Sequence, residues 1–158
     1  MKSIVEVFGK VNSNYKNLAT NVALQVLKFT NQPEGLEIAI SFVTENEIQK
    51  INNDFRGINK VTDVLSFPST ELSVGETLKI DDYLVFKNEV GLIHFGDMAI
   101  CTKQMERQAK EYGVAAEVEL KKLVIHSMLH FMGYDHIEDD DYLVMNKLEQ
   151  ELDEKIKI

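Results

Sequence analysis

Leu36-Glu37-Ile38-Ala39-Ile40-Ser41-Phe42-Val43-Thr44-Glu45-Asn46-Glu47 changes its period partway along. From Leu36 to Val43 the large apolar side chains fall at every second position, the repeat of a strand with a face turned to a core. At Thr44 the alternation stops, and Glu47 follows three residues later. That spacing is a capping box, in which threonine and glutamate each satisfy one of the other's backbone amides, and it predicts a helix running to about Phe55. Upstream, alternation from Ile4 to Phe8 predicts a short strand. Tyr15, Leu18, Val22, Leu24, Val26 and Leu27 then repeat at helical spacing between Asn12 and Thr30. Downstream, Val64-Leu65-Ser66-Phe67 reads as a strand stopped by Pro68, which suits an edge position.

Residues 69–89 carry the least pattern and read as a variable surface excursion with room for a short hairpin. Val90 to Cys101 reads as a strand interrupted at Gly96-Asp97. Helices follow from Thr102 to Tyr112, broken at Gly113, from about Ala115 to Met132, and from about Asp139 to Lys155. Strands interleaved with helices, then a helical C-terminal half, predict an α+β (mixed α/β) fold. We expect one domain over 1–158, a mixed sheet of about four strands packed with about five helices.

Composition narrows the function. The 158 residues are 44% hydrophobic, ordinary for one globular core, and carry a net charge of −9. A strongly acidic chain does not coat nucleic acid through general positive charge, although a local basic patch stays open to it. The lone cysteine, Cys101, makes no internal disulfide. The stretch Met1 to Glu6 has no apolar signal core, and no window approaches the roughly 18 apolar residues of a membrane span. A soluble, cytoplasmic protein is expected.

The chemistry concentrates in His126-Ser127-Met128-Leu129-His130-Phe131-Met132-Gly133-Tyr134-Asp135-His136, which holds three of the four histidines. Residues four apart share a helix face, so His126 and His130 can bind one ion at the end of this C-terminal-half helix. Gly133 suits a left-handed helix stop, after which the chain can return His136 to the same point. Three imidazoles with an open fourth position are what a catalytic zinc ion needs. The spacing equals that of the metzincin proteases, but Ser127 stands where those enzymes carry their catalytic glutamate. A hydroxyl cannot serve as that general base, so peptide hydrolysis by that route is disfavoured.

The same run resembles the His-Gly-x-Leu-His-Leu-x-Gly-Tyr-Asp-His signature of the YbeY-type endoribonucleases. Three further stretches agree in order: Thr62-Asp63-Val64-Leu65-Ser66-Phe67-Pro68 with Arg56 upstream, Gly96-Asp97, and Gln108-Ala109-x-Glu111-Tyr112-Gly113. Ser127 departs from the pattern by replacing its glycine. The resemblance implies His126, His130 and His136 as ligands of one Zn²⁺, with Arg56 and His126 as the catalytic residues. It implies a zinc-dependent, single-strand-specific endoribonuclease of small-subunit ribosomal RNA 3′-end maturation and ribosome quality control. Its partners would be single-stranded RNA, ribosomal RNA and the ribosome, with no membrane and no DNA expected. Two other readings use the same ligands: a metzincin-like metalloprotease, and a non-catalytic ribosome assembly factor with a structural zinc.

Other residues have two readings each. Arg56, one of two arginines, reads alone as a solvated helix-end residue, yet its guanidinium forks onto phosphate oxygens as a phosphate clamp must. Asp63 suits orienting Arg56 or capping a turn. Asp135 suits an imidazole N–H or simple turn chemistry. Asp97, inside an apolar run, needs a partner, either a backbone donor or a site residue. Cys101 reads as a small buried hydrophobe. Lys103, Arg107 and Lys110 share one helix stripe, with Lys121-Lys122 on the next helix, and suit either RNA phosphates or a solvated face.

Overall fold

The structure, a computed structural model, describes residues 1–135 and 138–158. Strand β1 (Ile4–Phe8) leads through helix α1 (Ser13–Phe29) to strand β2 (Leu36–Val43). Helix α2 (Glu45–Arg56) and strand β3 (Val64–Pro68) follow, then strand β4 (Ile93–Cys101) and helices α3 (Thr102–Tyr112), α4 (Ala116–Phe131) and α5 (Asp139–Lys155). The sheet order is β1-β2-β4-β3. β1, β2 and β4 run parallel, and β3 is antiparallel at the edge. The mixed α+β architecture is the one the sequence predicts. Among the described residues no helix is long and apolar enough to cross a membrane.

Local chemistry explains the boundaries. Asn12 caps α1 by accepting from the Tyr15 amide at 2.8 Å. The capping box forms at Thr44 and Glu47, both bonds at 3.2 Å. α2 and α3 stop at Gly57 and Gly113, each left-handed at φ +69°, where a side chain would be strained.

The core lies mainly on one side of the sheet. Ile38, Ile40, Phe42, Met98 and Ile100 face the buried stripes of α1 (Ala19, Val22, Val26) and α4 (Leu120, Val124, Met128). A smaller cluster of Ile48, Leu65, Ala99 and Cys101 lies under α2 on the other side. Cys101 is fully buried there, as its sequence context suggests, and burial pushes its thiol pKa up.

Two expectations are corrected. Gly96-Asp97 does not interrupt the strand, which runs unbroken from Ile93 to Cys101. Glu37 stands opposite His94 and Ile38 opposite Gly96, so Phe95 is the extra residue of a bulge. Gly96 is needed there because a Cβ would lie 2.6–2.8 Å from the Phe131 ring of α4. Residues 69–89, read as a surface excursion with room for a short hairpin, hold a 3₁₀ helix over Ile80–Phe86 in place of paired strands. That excursion also sends Leu78 into the core.

Candidate functional site

α4 is the floor of the site. Glu119, Lys122, Leu123, His126 and His130 repeat at three- and four-residue steps and line one cleft of about 970 Å³. β3 and the residues before it form one wall, the last turns of α2 and α3 contribute Phe55, Arg56, Gln108 and Tyr112, and Tyr134, Asp135 and Glu149 close the other end.

The two described imidazoles converge. His126 Nε2 and His130 Nε2 lie 3.0 Å apart, with ring centroids at 4.5 Å and planes at 82°. His130 Nδ1–H donates to the Tyr134 carbonyl at 2.9 Å, and His126 Nδ1–H to Glu149 Oε1 at 3.1 Å. In the tautomer with both Nδ1 atoms protonated, the two Nε2 atoms are the donors that a cation shared by the rings would use. Nitrogens each about 2.0–2.1 Å from one tetrahedral zinc stand roughly 3.3 Å apart, within a few tenths of the separation seen. The two described donors therefore fit part of a zinc site. His136, the third ligand of the sequence reading, lies outside the described residues. Among the described residues no group of three His, Cys, Asp or Glu side chains is placed to hold a metal.

Arg56 ends α2, is exposed, and lines the cleft. Asp63 takes the turn-capping option: its Oδ1 accepts from the Val64 amide at 2.7 Å and its Oδ2 from Gln108 Nε2 at 3.0 Å. The same Gln108 amide donates to Glu119 Oε2 at 3.3 Å, although Glu119 is buried. Gln108 Oε1 in turn accepts from Gln104, whose own oxygen accepts from Arg107.

The lysine-arginine stripe is not brought to the cleft. Lys103, Arg107 and Lys110 are absent from its lining. Arg107 donates to Glu45 Oε2 at 2.7 Å, a hydrogen bond that holds the Glu45 carboxyl below its ordinary pKa. It clamps α3 to α2. Lys121 is buried and donates to the Asp153 carbonyl of α5, so Lys122 alone of that pair reaches the cleft.

Asp97 has its partner, but away from the site. Its Oδ2 lies 2.9 Å from His94 Nε2, while His94 Nδ1 lies 2.9 Å from Glu37 Oε1. Asp135 does line the cleft. Sequence reasoning missed Glu119, Gln108 and Glu149. Extending the histidine stripe backwards by seven residues finds Glu119, but nothing local marks Glu149.

The sequence model of the family described as Endoribonuclease YbeY matches residues 5–157. The Endoribonuclease YbeY of Clostridium botulinum (strain Kyoto, type A2) is 37% identical over 148 residues, 90% of this chain and 89% of that protein. The protein of the same name from Caldicellulosiruptor bescii is 34% identical over 142 residues, covering 90% and 87%. Among solved structures, the solution structure of TM1509 from Thermotoga maritima is similar with a TM-score of 0.63 and 25% identity. It covers 96% of this chain and 88% of that one.

Proposed function

The chain belongs to the YbeY endoribonuclease family, and from that premise we propose that it is a zinc-dependent endoribonuclease of single-stranded RNA. Its setting is cytoplasmic ribosomal RNA processing, small-subunit 3′-end maturation and ribosome quality control, with the ribosome as partner. The observation that carries the reading is the convergence of two Nε2 atoms at 3.0 Å on the floor of a cleft that Arg56 also lines.

His126, His130 and His136 would hold the ion. When bound, zinc supplies Lewis acidity that makes a nucleophile available near neutral pH. The rest falls to the chain's own side chains. Glu149 and the Tyr134 carbonyl accept hydrogen bonds from the Nδ1–H groups, which favours in both rings the tautomer that ligates through Nε2. Arg56 forks onto the non-bridging oxygens of the scissile phosphate and opposes the charge that builds there. Lys122, on the same floor, adds a second positive charge. The protease reading loses further ground, because Ser127 is fully buried and hydrogen-bonded to Ser66 Oγ at 2.7 Å. No carboxylate stands at the position that peptide hydrolysis requires.

The test combines metal analysis with cleavage of a labelled single-stranded RNA by protein as purified, after chelation, and after zinc is restored. Cleavage should vanish and return. His130→Ala should bind zinc at least about a hundredfold more weakly, a larger loss than removing an outer partner of a ligand causes. Undiminished cleavage by chelated protein would overturn the reading.

A further inference from the structure

Two aromatic rings in this cleft are largely exposed. Phe55, beside Arg56 in the last turn of α2, is 71% exposed, and Tyr112, the last residue of α3, is 64% exposed. Both line the cleft that holds His126 and His130. Single exposed apolar side chains are common and by themselves mean little. These two share one concavity with a guanidinium and an ammonium.

Phe55 is also held in place. Phe67 of β3 packs against it edge-on, with centroids 5.2 Å apart and planes at 62°. A ring fixed by another ring loses little freedom when a flat partner arrives. Tyr112 lies one turn beyond Gln108 on α3, and Gln108 bonds Glu119 on the floor. Glu119 precedes His126 by seven residues, roughly 10 Å along the α4 axis. Tyr112 therefore lies toward the Glu119 end of the floor, whereas Phe55 is the chain neighbour of Arg56, the residue proposed above to meet the phosphate.

We propose that Phe55 and Tyr112 are stacking platforms for two unpaired nucleobases of the RNA, Phe55 for a base next to the scissile phosphate and Tyr112 for one further along the strand. The inference rests on the endoribonuclease reading of the site. Its chemistry is the one by which single strands are gripped without sequence preference: cations follow the phosphates, and aromatic faces take bases that a duplex would keep stacked on each other. It also accounts for a protein of charge −9 binding a polyanion. Stacking does not depend on net charge, so it adds grip beyond what Arg56 and Lys122 supply in a cleft that Asp63, Glu119, Asp135 and Glu149 also line. Selectivity for unpaired RNA follows, because only a splayed base reaches a ring.

The experiment measures binding and cleavage separately. Fluorescence anisotropy with a labelled oligouridylate reads Kd on chelated protein, where nothing is cut, and steady-state cleavage reads KM and kcat on the zinc-loaded enzyme. Phe55→Ala and Tyr112→Ala should each raise Kd and KM by roughly 5- to 150-fold, the factor for one lost base–aromatic stack, with kcat changed far less. Phe55→Trp should restore binding, and Phe55→Leu, equally apolar but without a ring face, should not. An oligonucleotide with one abasic position should lose the same factor with wild type and lose nothing further with Phe55→Ala when that position is the stacked one. Wild-type Kd in both alanine variants, or full rescue by leucine, overturns the proposal while leaving the endoribonuclease reading intact. Aromatic-dependent binding with no cleavage by the zinc-loaded wild type sustains the stacking proposal and overturns the premise. Both rings are exposed, so unchanged thermal melting of the variants shows that the fold is preserved.

Discussion

Ser127 follows one proposed ligand directly, yet it faces elsewhere, since successive residues of a helix point about 100° apart. Its hydroxyl is fully buried against Ser66 Oγ of β3 at 2.7 Å. In Ser127→Ala that bond is lost, but Ser66 lines the cleft and can turn to water. The cost should be about 1 kcal/mol, equivalent to a melting point lower by roughly 2–4 °C. Zinc content and RNA cleavage should be nearly unchanged. A cleavage defect beyond about tenfold with zinc retained would make the hydroxyl part of the chemistry, because a structural bond of this size accounts for less. At this scale the sequence is legible wherever partners lie within one helix. His126 and His130 are a turn apart, and their meeting follows from period alone. Glu149, which accepts a hydrogen bond from His126 Nδ1–H across 23 residues of sequence, is brought in by α5 packing on α4, which no local pattern encodes.

Elements are legible where a specific side chain sets their ends. The capping box at Thr44 and Glu47, and the glycines after α2 and α3, place those helices to within a residue or two. β4 shows the opposite case. Gly-Asp reads as a break because both residues favour turns, whereas the glycine answers a tertiary demand, the Phe131 ring filling the space a Cβ would need. Gly96→Ala should therefore destabilise the protein by about 1–3 kcal/mol, the cost of overpacking a close contact. Phe131 follows His130, so a displaced α4 should weaken zinc binding as well. Urea denaturation and zinc titration measure the two effects, and an unchanged midpoint would mean the ring yields freely. The 3₁₀ helix over Ile80–Phe86 lacks a side-chain cap and buries none of its own residues, so the sequence carries no signal for it.

Over the whole molecule, 17 Lys and Arg face 26 Asp and Glu, and some of the positive charge is committed. Arg107 is paired with Glu45, Lys121 is buried against α5, and His94 lies between Glu37 and Asp97, joining β2 to β4. Burial alone would lower the His94 pKa. The hydrogen bonds and charges of Asp97 and Glu37 outweigh it, so the pKa is raised. A histidine raised in the folded state contributes stability that is fully present below its unfolded pKa of about 6.5 and disappears as pH climbs through the folded value. Wild type should thus lose stability relative to His94→Gln as pH rises from 6 to 9. Denaturant midpoints of both proteins across that range check this, and parallel curves would remove the ion pairs from the account.

α4 packs against α1, α3, α5, β3 and β4, so both imidazoles hang from the element with the least freedom to detach. In hydrogen-exchange terms its central amides should belong to the slowest class, those that open only when the entire molecule unfolds. The pocket floor should then melt with the whole molecule and not ahead of it. Under the proposed function, an ion that left such a floor would leave the two imidazoles of α4 still aimed at the same point, and its return would wait on no refolding of that helix.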